Sequence, residues 1–237
     1  MKLLIISDLH ANLPALEAIG QAESDCDRIY CAGDLLDYGT DPHGVIDWCR
    51  KHDVRAVRGD HDADGIEAIR DPDGVRSRVG EAEFPRIQDT CGKLTAEDID
   101  YLSALPEVLD FTADGYLYRI THKYDNPCAY VCPRFPDGFD AFTKDIPHQA
   151  DIPFRLILGH THRQTVYTML GDRVWLNPGS TSFRQADDPD KSSQYAVIED
   201  GKISLRSVPY TRTPELAEIL AQAEVYLQDK EARNINC

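Results

Sequence analysis

Three aspartates, Asp8, Asp34 and Asp60, stand at equal intervals of 26 residues, and each follows a largely apolar run: 2–6 (KLLII), 28–32 (RIYCA) and 54–58 (VRAVR). Near-continuous aliphatic runs of that length mark strands covered on both faces. Between them the chain carries helix signals. Asn12 can cap a helix with Pro14 in its first turn and an apolar stripe of Leu13, Leu16, Ala18 and Ile19, and Asp41-Pro42 opens a second helix reaching about Lys51. The interval is close to the length of one strand-helix repeat of a βαβ unit. Parallel strands joined by right-handed crossovers present their C-terminal ends on one edge. The spacing therefore predicts a rim where Asp8, Asp34 and Asp60 meet, with His10 and His61 beside them.

The rest of the chain adds to that rim. Residues 63–92, rich in charge and turn pairs, predict short helices and exposed loops, and Thr95 with Asp98 predicts a capped helix that Pro106 ends. Strands at 108–112 and 116–121 flank Asp114-Gly115, and the second ends at His122. Residues 123–151 read as a loop with one helix. The run 154–158 then stops at Gly159-His160-Thr161-His162, where two imidazoles leave a strand together. Hairpins at 164–170 with 173–176, and at 194–199 with 202–208, predict a second, largely antiparallel sheet, and Thr213-Pro214-Glu215 opens a helix to about Arg233. With 42% hydrophobic and 28% charged residues, the pattern predicts one domain over 1–237, with a helical and loop insertion at about 63–107 and a C-terminal helix at about 211–237.

Charge narrows the partners. Forty-one acidic residues against 25 basic ones give a formal net charge of -16, which repels a polyanion, so long nucleic acid is not expected unless metal ions mediate the contact. Seven scattered cysteines (Cys26, Cys31, Cys49, Cys91, Cys128, Cys132 and Cys237) form no Cys-x-x-Cys pair and read as reduced thiols. No apolar stretch is long enough to cross a membrane, and the first residues run straight into a strand pattern. The expectation is a cytoplasmic protein without a membrane partner, with homo-oligomerisation left open.

The ordered set Asp8-x-His10, Gly33-Asp34-x-x-Asp37, Gly59-Asp60-His61-Asp62, His122 and Gly159-His160-x-His162 resembles the calcineurin-like metallophosphoesterase superfamily. The short chain and the Asn177-Pro178-Gly179-Ser180 turn are similar to its small bacterial and archaeal phosphodiesterases. The resemblance implies an α/β fold, a four-layer α/β/β/α sandwich of two mixed sheets flanked by helices, with two divalent metal ions at the sheet ends. Carried over residue by residue, it implies one ion on Asp8, His10, Asp34 and His162, and the other on Asp34, Asp60, His122 and His160, with Asp34 shared. A carboxylate and imidazole set without thiolate suits manganese, with iron, zinc or nickel as alternatives. Two such ions about 3.5–4 Å apart can clamp a phosphoryl group and make a shared water acidic enough to attack as hydroxide. The resemblance also implies that His61 protonates the leaving oxygen while Asp37 holds its ring. His43, His52 and His148 fit none of these motifs.

Three positions depart from the family pattern. Asp60 stands where the family has asparagine, Lys123 where the small phosphodiesterases usually have glycine, and Tyr38 where protein phosphatases carry arginine. Arg163, Arg184 and Lys123, each next to a motif, are the candidates for gripping a substrate phosphate. The expected function is a metal-dependent phosphoesterase, foremost a phosphodiesterase acting on a small soluble phosphodiester or nucleotide. A phosphomonoesterase, including a protein phosphatase, or a non-catalytic scaffold of the same fold are the alternatives.

Overall fold

In the computed structural model, which describes residues 1–123, 152–169 and 173–234, the repeat of strand and helix comes first. Strand β1 (Lys2–Ile6), helix α1 (Leu13–Ala22), β2 (Arg28–Cys31), α2 (Pro42–Lys51) and β3 (Arg55–Ala56) follow in order, with β1, β2 and β3 parallel. Both helices start as predicted: Asn12 accepts from the backbone N–H of Ala15, Asp41 accepts from that of Gly44, and each helix carries a proline in its first turn. The third strand is shorter than the expected run 54–58. Val57 still bonds Cys31, but the N–H of Arg58 turns away to the carbonyl of Pro106.

Residues 60–104 are more helical than the sequence predicted. Helices α3 (Asp60–Arg70), α4 (Pro72–Val79), α5 (Phe84–Gly92) and α6 (Ala96–Ala104) follow one another with short turns. Asp71-Pro72-Asp73-Gly74, within the stretch expected to hold short helices and loops, is a helix start, in which the Asp71 side chain caps the Gly74 N–H. Ala68, Val75, Phe84 and Ile87 give three of these helices a small core of their own.

Hairpin β4 (Val108–Ala113) and β5 (Tyr116–Thr121) then opens a second sheet, continued by β6 (Phe154–Ile157), β7 (Thr165–Met169) and β8 (Arg173–Asn177) in the order β4-β5-β6-β8-β7. The hairpin β9 (Ser193–Glu199) and β10 (Lys202–Val208) was expected in that second sheet, and this is corrected. Strand β9 lies antiparallel to β1, with Lys2 opposite Glu199, so the first sheet reads β10-β9-β1-β2-β3. The second sheet is also less antiparallel than predicted, because β5, β6 and β8 run parallel. Helix α7 (Pro214–Asn234) follows the expected Thr213-Pro214 start.

Alternation along β1 explains the layers. Leu3 and Ile5 face the second sheet and pack with Tyr30, Tyr118, Ile120 and Ile157, whereas Leu4 and Ile6 face α1, α2 and α6. The result is the expected α/β arrangement of two mixed five-stranded sheets flanked by helices. Among the described residues no helix is long and apolar enough to cross a membrane, and Cys26, Cys31, Cys49 and Cys91 are free thiols. The expected loop at 123–151 and Cys128, Cys132, His148 and Cys237 lie outside the described residues, apart from Lys123 itself.

Candidate metal centre

The C-terminal ends of β1, β2 and β3 meet those of β5 and β6, and every predicted ligand sits at this junction, Asp60 as the first residue of α3 and the others in loops. The loops adopt backbone that side chains rarely take: φ is 53° at Asp8, 44° at His10, 58° at Asp34, 66° at His160 and 56° at His162. Asp37 and Tyr38 are also left-handed, at 78° and 59°. Strain of this kind persists only where surrounding structure holds it. Here the turn after β8 does so: Ser180 Oγ donates to the carbonyl of Asp8, and Asn177 Nδ2 donates to that of Gly159. Close approach is the other requirement. A Cβ on Gly59 would lie 2.0 Å from Asp34 Oδ1, and one on Gly159 would lie 2.0 Å from Ser7 Oγ.

The seven predicted ligands form two groups whose ligand atoms lie within 4.8 Å of one another: Asp8, His10 and His162, and Asp34, Asp60, His122 and His160. Asp34 lies between them, with Oδ2 3.1 Å from His122 Nε2 and 3.9 Å from His10 Nε2. Asp60 Oδ1 is 2.9 Å from His122 Nε2 and 3.0 Å from His160 Nδ1.

The histidine rings are oriented as ligands. His10, His122 and His162 each donate a ring N–H at Nδ1 to a backbone carbonyl, of Leu36 (3.0 Å), Ala32 (2.7 Å) and Phe183 (2.7 Å) respectively. That fixes the tautomer and leaves the Nε2 lone pairs facing inward. His10 Nε2 and His162 Nε2 then stand 3.1 Å apart, two lone pairs opposed, an arrangement that a cation between them relieves. Asp8 Oδ2 is buried without a hydrogen-bond partner among the described residues, and His122 Nε2 faces only the carboxylates of Asp34 and Asp60. Seven hard and borderline donors converging on one another fit a pair of divalent cations.

Charge follows the same geometry. Burial opposes ionisation of Asp8, Asp34 and Asp60, yet the imidazoles beside them, His162 for Asp8 and His122 for the other two, hold all three carboxyls below their usual range. Burial pushes His10 down to about 3, which suits a ligand that must stay neutral.

His61 belongs to neither group but faces both. Its ring is 5.1 Å from that of His10, its Nδ1 donates to Asp37 Oδ2 at 2.7 Å, and its backbone N–H donates to Asp34 Oδ1 at 2.9 Å. Burial would lower its pKa, but the carboxylates of Asp34 and Asp37 win and raise it to about 9.

Two residues that the sequence reading gave no role hold this machinery. Asp62, fully buried, accepts four backbone N–H groups: those of Leu35 and Leu36 at Oδ1, and of Asp34 and Gly59 at Oδ2. It ties the Asp34 loop to the start of α3, and burial with the nearby Asp34 pushes its pKa up to about 6. Arg86, on α5, pairs with Asp37 Oδ2 and lays its guanidinium 3.9 Å from the centre of the Tyr38 ring. Neither was legible as a function, Asp62 because it reads as one more acid in a cluster, Arg86 because it reads as a solvated helix charge.

The three predicted anion-binding cations divide. Lys123 reaches the rim, with Nζ 3.9 Å from Asp60 Oδ2, in a cleft of about 400 Å³ that Arg58, Thr121 and His122 also line. Arg163 is exposed and lies 3.5 Å from Asp187. Arg184 is corrected: it is 2% exposed, its Nε donates to Asp188 at 2.9 Å, and it also donates to the carbonyl of Ser192, so its guanidinium is spent on bracing the 184–192 loop.

Comparison with known proteins agrees with the geometry. Residues 1–200 match the model of the calcineurin-like phosphoesterase superfamily domain. An uncharacterized protein of Methanocaldococcus jannaschii is 26% identical over 227 residues, covering 87% of this chain and 86% of its own length. The metallophosphoesterase of Sphaerobacter thermophilus is 25% identical and superposes with a TM-score of 0.67 over 99% of this chain and 100% of that one. A hypothetical protein of Pyrococcus horikoshii, 16% identical, shares the fold with a TM-score of 0.71 over 97% of each chain. Two mixed sheets, their ends joined by seven inward-facing donors, and a matching domain model make this chain a member of the calcineurin-like phosphoesterase superfamily, a family of metal-dependent phosphoric ester hydrolases.

Proposed function

We propose that the chain hydrolyses a small soluble phosphodiester, such as a nucleotide or dinucleotide, in the cytoplasm, with two manganese ions held by the seven donors. Asp8, His10, His162 and Asp34 would hold one ion, and Asp34, Asp60, His122 and His160 the other. Bound there, divalent ions would supply Lewis acidity toward the phosphoryl oxygens and a more acidic water. The chain's own contribution is a proton. The observation that carries the reading is His61, anchored through Nδ1 to Asp37 and outside both ligand groups. With Nδ1 committed to Asp37, the other ring nitrogen holds the proton that goes to the leaving oxygen.

Cation supply favours a diester over a monoester. Arg184 is buried and taken up by Asp188 and Ser192, and Lys123 lies 3.9 Å from a ligand carboxylate, so a substrate with one negative charge on the phosphoryl group suits the centre better than one with two. The net charge of -16 supports a small ester over a long nucleic acid.

The test compares purified protein, with manganese, on bis-p-nitrophenyl phosphate and p-nitrophenyl phosphate. Faster turnover of the diester is expected. Replacing His61 with alanine should leave metal content unchanged and lower turnover of diesters with alkoxide leaving groups by roughly 100- to 10,000-fold. The loss should be far smaller for nitrophenolate, which leaves without a proton. Equal losses on both classes would remove the acid role, and turnover unaffected by chelation would remove the metals.

A further inference from the structure

Among the described residues two cavities meet the centre, and they differ in room. Asp60 and His122 reach the cleft of about 400 Å³ beside Lys123. His61, with His10, Asp34, His160 and His162, faces a separate pocket of only about 10 Å³, space for about one water. Among the described residues, what closes that pocket is largely apolar, and half of it comes from the far end of the chain. Tyr226 and Leu227 of α7 stand over it with Tyr38 and Phe183.

The closure is built into the packing. Leu216, Leu220, Ala223 and Leu227 recur at helical spacing and form one buried cluster with Tyr38 and Phe183. Phe183 lies 4.7 Å from the His162 ring and 5.1 Å from Tyr38, and Tyr38 lies 5.3 Å from His61, so the wall touches the ligand and acid rings directly. Polar contacts pin the helix at two points. The Tyr226 hydroxyl donates to Glu83 Oε1 at 2.6 Å, and Glu224 accepts from Lys191 at 2.9 Å and from Arg212 at 3.2 Å.

We infer that α7 is a specificity element, in which Tyr226 and Leu227 restrict the leaving group on the His61 side and direct the bulk of the substrate into the cleft beside Asp60 and His122. This rests on the proposed acid role of His61. A leaving oxygen that takes its proton from His61 has to enter the pocket these side chains close, while the group that stays on phosphorus has the cleft. The preferred substrate is then an asymmetric diester with a compact leaving alcohol and a large retained group.

The test keeps a nucleoside 5′-phosphoryl group as the retained part and compares the methyl and neopentyl esters of thymidine 5′-phosphate, whose alkoxide leaving groups both need a proton and are of similar acidity but different size. Leu227→Ala and Tyr226→Ala should each raise kcat/KM for the neopentyl ester relative to the methyl ester by roughly tenfold, the scale for opening an apolar pocket. Tyr226→Phe, which drops the Glu83 bond and keeps the ring, should move that ratio less than Tyr226→Ala. An unchanged ratio in both alanine variants, with both esters turned over, would overturn the inference and leave the phosphodiesterase reading standing. If the wild type turns over neither ester, that reading fails instead. The wall is then judged by the rate at which diethylpyrocarbonate modifies His61, located by peptide mass. A faster rate in folded Leu227→Ala supports closure by α7, and an equal rate overturns it.

Discussion

Replacing Gly59 with alanine tests whether the centre tolerates any shift of its shared carboxylate. The added Cβ would lie 2.0 Å from Asp34 Oδ1, 2.4 Å from Asp34 N and 2.7 Å from Asp34 Cγ, against an ordinary contact of 3.4–4 Å. The backbone N–H cannot retreat cheaply, because it donates to Asp62 Oδ2 at 3.1 Å. Asp34 therefore moves by more than 1 Å (roughly, on van der Waals grounds) and gives up its bond from His61 N. Overpacking of this kind costs about 1–3 kcal/mol, or roughly 2–12 °C in Tm for a domain of this size. Disturbing what orients a metal ligand typically costs about 10- to 100-fold in affinity. Calorimetric melting with chelator and with excess manganese, together with metal content, measures both. Gly92→Ala is the control: nothing lies within 4 Å of its Cβ, so the melt should stay put or rise. An unchanged melting point and full metal content in Gly59→Ala would refute the steric reasoning.

Three further outcomes follow from the same structure. Arg86→Gln should lower kcat on alkoxide leaving groups by roughly tenfold with metal content intact, since Asp37 loses its cation while His61 keeps its carboxylate, and an unaltered kcat would show that Arg86 only packs on Tyr38. Glu23 is opposed by burial but held below its usual range by bonds from Lys2, Arg206 and Tyr195. A depressed folded pKa gives stability that is present above the unfolded value of 4.5 and lost as pH falls through the folded one, so metal-free Glu23→Gln should be less stable at neutral pH and converge with wild type in acid melts. Asp60→Asn should bind the second ion more weakly and lower KM for an anionic diester, and tighter metal binding on titration would sink the charge reasoning.

Local signals carried far in this chain and stopped at predictable places. The 26-residue interval between aspartates, the caps Asn12, Asp41 and Thr95, and the Asp114-Gly115 turn are short-range chemistry, and each stands as read. All seven ligand positions come together because strand ends locate a rim without any knowledge of side-chain contacts. The assignment of β9 and β10 failed because alternation says that a strand buries a face, not against which sheet. Arg184 failed because adjacency to a motif says nothing of direction, and its guanidinium turns to Asp188. Asp71-Pro72 reads equally as a turn or a helix start, and the buried contacts of Val75 decide. Asp62 reaches the backbone of Asp34, Leu35 and Leu36, 26 to 28 residues away, and Arg86 reaches Asp37, 49 residues away, which no local pattern encodes.

The donors also come from both halves of the chain. Asp8, His10, Asp34 and Asp60 leave the first sheet, and His122, His160 and His162 leave the second. An ion shared by Asp8 and His162 would therefore act as a clasp between sheets, joining segments far apart in sequence much as a long-range disulfide does. In the unfolded chain no such loop is closed, so the ion rewards only the docked state. Each sheet can form its own ladder without metal, while the tightness of their seam rises and falls with metal supply, and hydrogen exchange along β5 and β6 is where that dependence surfaces first.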